Sequence, residues 1–144
     1  ISYQGAIMSL FKVFDVSGSA LHAQSLRLNT TASNMANANT VSSSIDKTYR
    51  ARHPVFAPML GDFTEQKQGV GVKVLGIVES NAPIKREYSP GHPLADDKGF
   101  ISLPNVNVAE EMANMISASR SYQSNIELMN SAKQMMLRTI SLGQ

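Results

Sequence analysis

Three histidines, His22, His53 and His92, carry the side chains that most often bind metals or transfer protons near neutral pH. Only His22 falls on a predicted helix, and no histidine or carboxylate stands three or four residues away from it. The absence of cysteine also excludes disulfides and thiolate metal sites. We therefore interpret the three histidines as structural or solvated residues.

Two acidic pairs and one glycine-rich stretch also have plain structural interpretations. Asp96 and Asp97 precede a Lys-Gly pair, a combination typical of a turn. Glu110 and Glu111 open a predicted helix, where negative charge complements the helix dipole. The stretch GVGVKVLG, residues 69–76, lacks the GK[ST] of a phosphate loop and indicates a strand with a bulge or a close backbone approach. The sequence therefore predicts no catalytic residues, no cofactor and no metal, and the protein is not expected to be an enzyme.

A long amphipathic helix is predicted for residues 8–38, because one stripe of residues recurs in alternating steps of four and three. The stripe is imperfectly apolar and consists of Leu10, Phe14, Ser17, Leu21, Gln24, Leu28, Thr31, Met35 and Ala38. The helix ends in RLNTTASNMANANT, residues 27–40. Alanines there permit close helix approach, and asparagines can bond across an interface completed by neighbours. The alternative is a helix end passing into a turn, since asparagine tolerates the left-handed conformation.

The middle of the chain, residues 42–105, contains all six prolines and predicts a small antiparallel β unit. Val70, Val72 and Val74 alternate at period two, which indicates a strand within residues 69–80. Further strand candidates are KTYRARHPVF, IKREY and GFISL, which are separated by turn signals such as SPGHP.

A second long helix is predicted from residue 107 to about residue 142. Its first stripe is Val108, Met112, Met115, Ser119, Tyr122, Ile126, Met129, Lys133, Met136 and Ile140. At about 100° per residue, a second row of Leu128, Ala132, Met135 and Leu142 lies on nearly the opposite side. A helix that is apolar on both sides needs more than one partner helix, and a chain of 144 residues is too short to supply them. The pattern therefore predicts contacts with other subunits.

The expected fold class is α+β, with long N- and C-terminal helices paired as a coiled-coil inner core and a small antiparallel β-rich middle domain. The expected segments are residues 1–7 as an upstream extension or cloning remnant, 8–41 as the N-terminal core helix, 42–105 as the middle domain and 106–144 as the C-terminal core helix. The net charge of +2 is too small to favour nucleic acid. No run of about 18 apolar residues predicts membrane insertion, and no Sec-type signal peptide is found.

Both ends of the sequence resemble a known family. SALHAQSLRLNTTASNMANANT, residues 19–40, resembles the N-terminal signature of the axial proteins of the bacterial flagellum, which form its rod, hook and filament junction. NVNVAEEMANMISASRSYQSNIELMNSAKQMMLRTISLGQ, residues 105–144, is similar to the C-terminal signature of the same group. The short middle and GHPLADDKGFISLPNVNV, residues 91–108, resemble its proximal-rod members most closely.

The resemblance implies a structural subunit of the proximal rod in the flagellar basal body, polymerised into a periplasmic helical tube that transmits motor torque. It also implies export by the flagellar type III apparatus without a cleaved signal peptide. The implied partners are copies of the chain itself, other rod proteins, membrane-ring and rod-base adaptor proteins and the export apparatus, with no nucleic acid and no direct membrane insertion. The alternative is a soluble helical-bundle binding module or an export adaptor.

We expect the subunit interface to involve both helices, with five methionines between positions 112 and 136 adapting to non-equivalent contacts. The expected interface residues are Leu21, Leu28, Asn34, Met35, Asn37, Met112, Met115, Tyr122, Ile126, Leu128, Met129, Met135, Met136, Ile140 and Leu142.

Overall fold

The computed structural model describes the backbone of residues 3–59 and 70–142 and the side chains of residues 11–59 and 70–141. A single 3₁₀ turn, Ile45–Lys47, follows the first helix. The order of elements is α1 (Tyr3–Asn37), β1 (Arg52–Pro58), β2 (Val72–Glu79), β3 (Lys85–Tyr88), β4 (Phe100–Leu103) and α2 (Val108–Leu142). The predicted α+β class and the four predicted strands are confirmed.

The first helix begins earlier than the sequence pattern predicts. Its hydrogen bonding starts at Tyr3 instead of residue 8, and it ends at Asn37 instead of Ala38. The end has a clear cause, because the carbonyl of Asn37 accepts hydrogen bonds from both the N–H (3.1 Å) and the Oγ1 (2.8 Å) of Thr40. These bonds satisfy a terminal carbonyl and turn the chain away from the helix axis.

Strands β1 and β2 form a two-stranded antiparallel sheet. The N–H of Met59 donates to Gly71 O, and the N–H of Ser80 donates to Ala51 O, both at 2.8 Å. In an antiparallel pair, the backbone N–H and C=O groups of every second residue point toward the partner strand. Ala51 and Met59 bond to the β2 side, so the N–H and C=O groups of even-numbered positions in β1 point away from β2. Pro54 and Pro58 occupy such positions, where the missing N–H removes no ladder bond.

Strands β3 and β4 form the second antiparallel sheet, with a register that runs from Lys85 opposite Leu103 to Tyr88 opposite Phe100. On its other edge, β4 is bridged by Ser42, whose N–H and carbonyl both bond to Ser102 at 3.0 Å. Because β4 is flanked on both edges, its central residues are buried, whereas all four residues of β3 are exposed.

Asp96 organises the turn between these two strands. Its Oδ1 accepts the N–H groups of Lys98 (2.9 Å) and Phe100 (2.8 Å), and its Oδ2 accepts the Arg86 guanidinium at 2.6 Å. The backbone bond from Phe100 is the largest effect on the pKa of Asp96 and lowers it from the ordinary value of 3.8. Desolvation, the second largest, acts to raise the pKa, but the bond from Lys98 and the charge of Arg86 add to the lowering, which prevails. Asp96 of the acidic pair therefore shapes a turn, as predicted.

This lowered pKa predicts a pH response that is confined to acid. A carboxyl group whose pKa is lower in the folded state stabilises the fold above its unfolded pKa, and that stabilisation is lost as the pH falls through the folded pKa. We expect the amide NMR shifts of Lys98 and Phe100 to stay constant from pH 7 to about 4 and to change only below that. Asp96→Asn keeps the acceptor without the charge and should show no such transition; an unaltered acid transition in that variant would contradict the assignment.

The described residues fall into two compact units. The first consists of residues 3–26, 56–59, 70–75 and 118–142, and the second of residues 27–55 and 76–117. The buried side chains of the first unit are all small: Ser17, Ala23, Ala118 and Ala132. The second unit has a more conventional core, with Ile101, Pro104 and Val106 buried beside hydrogen-bonded polar residues.

Candidate subunit interface

The predicted stripe on α1 is a buried face. Ser17 and Thr31 are fully buried, and every other stripe residue from Phe14 to Ala38 is at least half-buried. Between residues 13 and 37, only positions 15, 22, 25, 29, 32 and 36 are exposed, and they form one narrow strip along the helix. Leu21, Leu28 and Met35, expected at an interface, thus already contact other parts of the chain.

The buried face of α2, which we call its seam, coincides with only part of the predicted stripe. Met115, Tyr122, Met129 and Met136 are half-buried, as the stripe requires. Of the other stripe residues, Ser119 is half-buried and therefore also fits. The prediction was wrong for the remaining five, which are exposed: Val108, Met112, Ile126, Lys133 and Ile140. The row one residue earlier, formed by Glu111, Ala118, Asn125, Ala132 and Thr139, is buried or half-buried instead. Small side chains let neighbouring segments approach closely, and a search for large apolar residues misses them.

The second row on α2 is also corrected at one position. Leu128 and Met135 are 50% and 53% exposed, but they stand four residues before and three residues after Ala132, so they flank the seam and do not face away from it. Ala132 was assigned to the same row but is only 1% exposed, so it belongs to the seam. The side chain of Leu142 lies outside the described residues.

The outer surface of α2 is unusually apolar for a helix that faces solvent. Eight large apolar side chains on this helix are more than a third exposed: Val108, Met112, Ile116, Ile126, Leu128, Met135, Leu137 and Ile140. At about 100° per residue these side chains lie on two sides of the helix, with Leu128 and Met135 on nearly the opposite side from Ile126 and Ile140. Large apolar side chains left exposed in this number usually mark an interaction site. This surface is the candidate interface.

Asn34 has a different role from the one predicted. Its side chain has no exposed surface. Its Nδ2 donates to the Arg52 carbonyl (2.8 Å), and its Oδ1 accepts the Arg52 N–H (2.9 Å). The side-chain amide therefore pairs with the Arg52 backbone as a neighbouring strand would. The Tyr49 hydroxyl donates to the same Oδ1 at 2.9 Å. Asn34 therefore holds the start of β1 against α1 within one chain, and no neighbour can reach it. Asn37 is half-buried and bonds locally, from Nδ2 to Ser33 O at 2.9 Å.

Ser19 and Gly71 form a contact that the sequence analysis only partly anticipated. The Ser19 hydroxyl donates to Val16 O (2.8 Å) and accepts the N–H of Val72 (3.0 Å), which fastens the start of β2 to α1. A Cβ atom on Gly71 would lie 2.9 Å from Ser19 Oγ. The predicted close backbone approach at the glycine-rich stretch is thus confirmed, but nothing in the pattern singled out Ser19.

Arg27 and Asn114 join α1 to α2 in the second unit, since Arg27 Nη2 donates to Asn114 Oδ1 at 2.8 Å. Glu111, one turn earlier on α2, is 3% exposed. Its Oε2 has no hydrogen-bond partner among the described residues. Glu111 was expected only to complement the helix dipole, so its burial is a feature that the sequence did not reveal.

The possible catalytic groups are dispersed. Within residues 3–59 and 70–142, no three histidine, aspartate or glutamate side chains come together as a possible metal site. His92 makes a local turn contact, with Nδ1 accepting the Leu94 N–H at 3.1 Å. Neither described helix is long and apolar enough to cross a membrane.

Two models of known protein families match parts of this chain. The family model described as "Flagella basal body rod protein" matches residues 14–41, and that described as "Flagellar basal body rod FlgEFG protein C-terminal" matches residues 97–142. The first match covers most of α1, and the second covers β4 and α2. Together they define the class, the structural rod proteins of the flagellar basal body.

Curated relatives narrow this class to one family. The chain is 51% identical over 137 residues to the flagellar basal-body rod protein FlgC of Salmonella typhimurium, a match that covers 95% of this chain and 100% of the relative. It is 50% identical to FlgC of Yersinia enterocolitica over the same fractions, and 36% identical to FlgC of Borreliella burgdorferi over 95% of this chain and 99% of the relative. The chain belongs to the FlgC family of flagellar basal-body rod proteins. It is a structural rod subunit and not an enzyme.

Proposed function

We propose that this subunit polymerises into the helical tube of the proximal rod and transmits motor torque through it. The terminal helices pair as a coiled coil that forms the inner core of the tube, and the β-rich middle domain lies outside it. Heterologous contacts that do not close into a ring generate such a filament, because each subunit presents one surface to the complementary surface of the next.

The main support for this proposal is that small side chains are buried in the first unit while large apolar side chains are exposed. Among the described residues of the first unit, only serine and alanine are fully buried, while large side chains such as Leu128, Met135 and Leu137 on α2 are at least half exposed. Burial of apolar surface is the main favourable term in association, so these side chains stabilise an assembly more than the monomer. A monomeric binding module would instead require a filled core of its own, so that alternative is not favoured.

The proposed interface follows the expected residues, with one exception. Asn34 is left out because it is buried within the chain. The exposed members make direct contact with neighbours, and the half-buried members complete their burial on assembly. The set is Leu21, Leu28, Met35, Asn37, Met112, Met115, Tyr122, Ile126, Leu128, Met129, Met135, Met136, Ile140 and Leu142.

The proposed location is the periplasmic part of the basal body. Export through the flagellar type III apparatus, without a cleaved signal peptide, would bring the chain there. Its neighbours would be copies of itself, other rod proteins and the membrane-ring and rod-base adaptor proteins. Mass spectrometry and a density map of purified basal bodies test this assignment, and a rod that lacks the chain would disprove it.

The weak core of the first unit predicts that the isolated subunit is only partly ordered. We expect amides from Ala118 to Ser141 to exchange rapidly in dilute protein and to become protected in assembled rods, because folding there is coupled to assembly. Amides of β4 in the second unit should be protected in both states and serve as the internal control. Strong protection from Ala118 to Ser141 in the dilute monomer would contradict the prediction.

A further inference from the structure

A polar cavity of about 500 Å³ opens in the second unit, beside the end of α1 and the start of β1. Its lining consists of Asn37, Thr40, Val41, Ser42, Asp46, Lys47, Thr48, Tyr49, Arg50, Arg52 and Glu79. Its volume is within the range of cavities that hold ligands, about 300–1,000 Å³. Small-molecule sites are lined mainly by apolar and aromatic side chains, whereas here only Val41 and the Tyr49 ring have that character.

The cationic groups of this cavity outnumber its anionic groups. Lys47, Arg50 and Arg52 face only two carboxylates, Asp46 and Glu79, so the lining carries a net charge of +1. Arg52 is held in place, with Nη2 3.3 Å from Glu79 Oε1 and its guanidinium carbon 5.5 Å from the Tyr49 ring centroid. Lys47 has no ion pair among the described residues.

The hydroxyl groups in the lining already have internal acceptors. Thr40 Oγ1 donates to Asn37 O and Thr48 Oγ1 donates to Ser44 O, both at 2.8 Å. Arg50 Nη1 donates one hydrogen bond to Ser80 O at 3.2 Å, and a guanidinium has four further N–H donors. An incoming acceptor therefore meets the charged donors of Lys47 and Arg50 without displacing the bonds that hold the wall together.

We propose that this cavity binds a carboxylate side chain from an acidic segment of a neighbouring rod subunit. A net charge of +1 matches one carboxylate, whereas a phosphate group carries about −1.5 to −2 and would meet Asp46 and Glu79 as well. A polar and charged lining is also typical of the rim of a protein interface. This inference rests on the proposed assembly, and it adds a charged contact separate from the apolar face of α2.

Charge reversal at Lys47 tests the proposal. Lys47 is exposed, and its side chain makes no ion pair among the described residues, so Lys47→Glu should leave the unfolding midpoint of the monomer unchanged. We expect Lys47→Glu to lose swimming and Lys47→Arg to retain it. Lys85→Glu makes the same charge change on an exposed position of β3 outside the cavity and should swim normally.

Second-site suppressors and crosslinking identify the occupant. Suppressors of Lys47→Glu should replace an acidic residue of a rod subunit by lysine or arginine, and Asp46→p-benzoylphenylalanine should crosslink beside such a residue in purified basal bodies. Normal swimming of Lys47→Glu, or crosslinks that reach no acidic segment of another subunit, would overturn the proposal. Absence of the wild-type chain from basal bodies would instead disprove the assembly on which it rests.

Discussion

Cells whose only copy of this chain carries Leu128→Glu or Met135→Glu are expected to make and export the protein but to build no rod. Both side chains are about half exposed on α2, at the edge of the buried seam, so glutamate there remains solvated in the monomer. In the proposed tube the same carboxylate would be buried without a partner. That costs several kcal/mol, and the cost recurs at every copy.

The matched control for these variants is Gln134→Glu. Position 134 is exposed on the same helix and already carries a polar side chain, so the variant adds the same charge without removing an apolar contact. We expect it to assemble and swim. Secretion assays, basal-body isolation and swimming assays on the three variants give the comparison. Intact rods that contain the Leu128→Glu or Met135→Glu protein would show that this face is not an interface.

Asn34→Ala is expected to destabilise the second unit more than any other single polar truncation in it. The change removes three hydrogen bonds, two to the backbone of Arg52 and one from Tyr49, at a site with no solvent exposure. The net contribution of one hydrogen bond is about 0.5–1.5 kcal/mol, so the loss of three is expected to cost roughly 2–4 kcal/mol. Chemical denaturation of the monomer, followed by the amide NMR signals of β4 in this unit, measures the loss.

Two further variants separate the hydrogen bonds of Asn34 from general effects on α1. Tyr49→Phe removes the hydroxyl, which bonds to Asn34 Oδ1 at 2.9 Å and lies 3.2 Å from Ser33 Oγ, but leaves both Asn34 bonds to Arg52 in place; it should cost about 1 kcal/mol. Asn29→Ala makes the same substitution at an exposed position of the same helix and should be neutral or slightly stabilising, because alanine is the better helix former. If Asn34→Ala proves no more destabilising than Asn29→Ala, the strand-partner role of this asparagine is wrong.

The burial of Glu111 and of the small side chains of the α2 seam does not follow from the helical period. Steps of four and three located both helices and the apolar surface, because that period is a local property of the helix. They did not identify which of two adjacent rows is buried, since rows one residue apart differ by about 100° and both contain apolar residues. In the folded chain the row with Ala118 and Ala132 is buried, because small side chains allow neighbouring segments to approach closely, and Met112 and Ile140 remain exposed.

The sequence by itself determined the α+β class, the four strands, the turn at Asp96 and the family, because each follows from local periodicity, turn chemistry or the two terminal signatures. Only the tertiary structure decided the roles of Asn34, Ser19 and the cavity around Lys47. Each of these depends on groups far apart in the chain, such as Asn34 with Arg52 or Ser19 with Val72. Hydrogen bonds of this kind form only when folding brings the backbone of one segment to the side chain of another, and no spacing along the sequence encodes that approach.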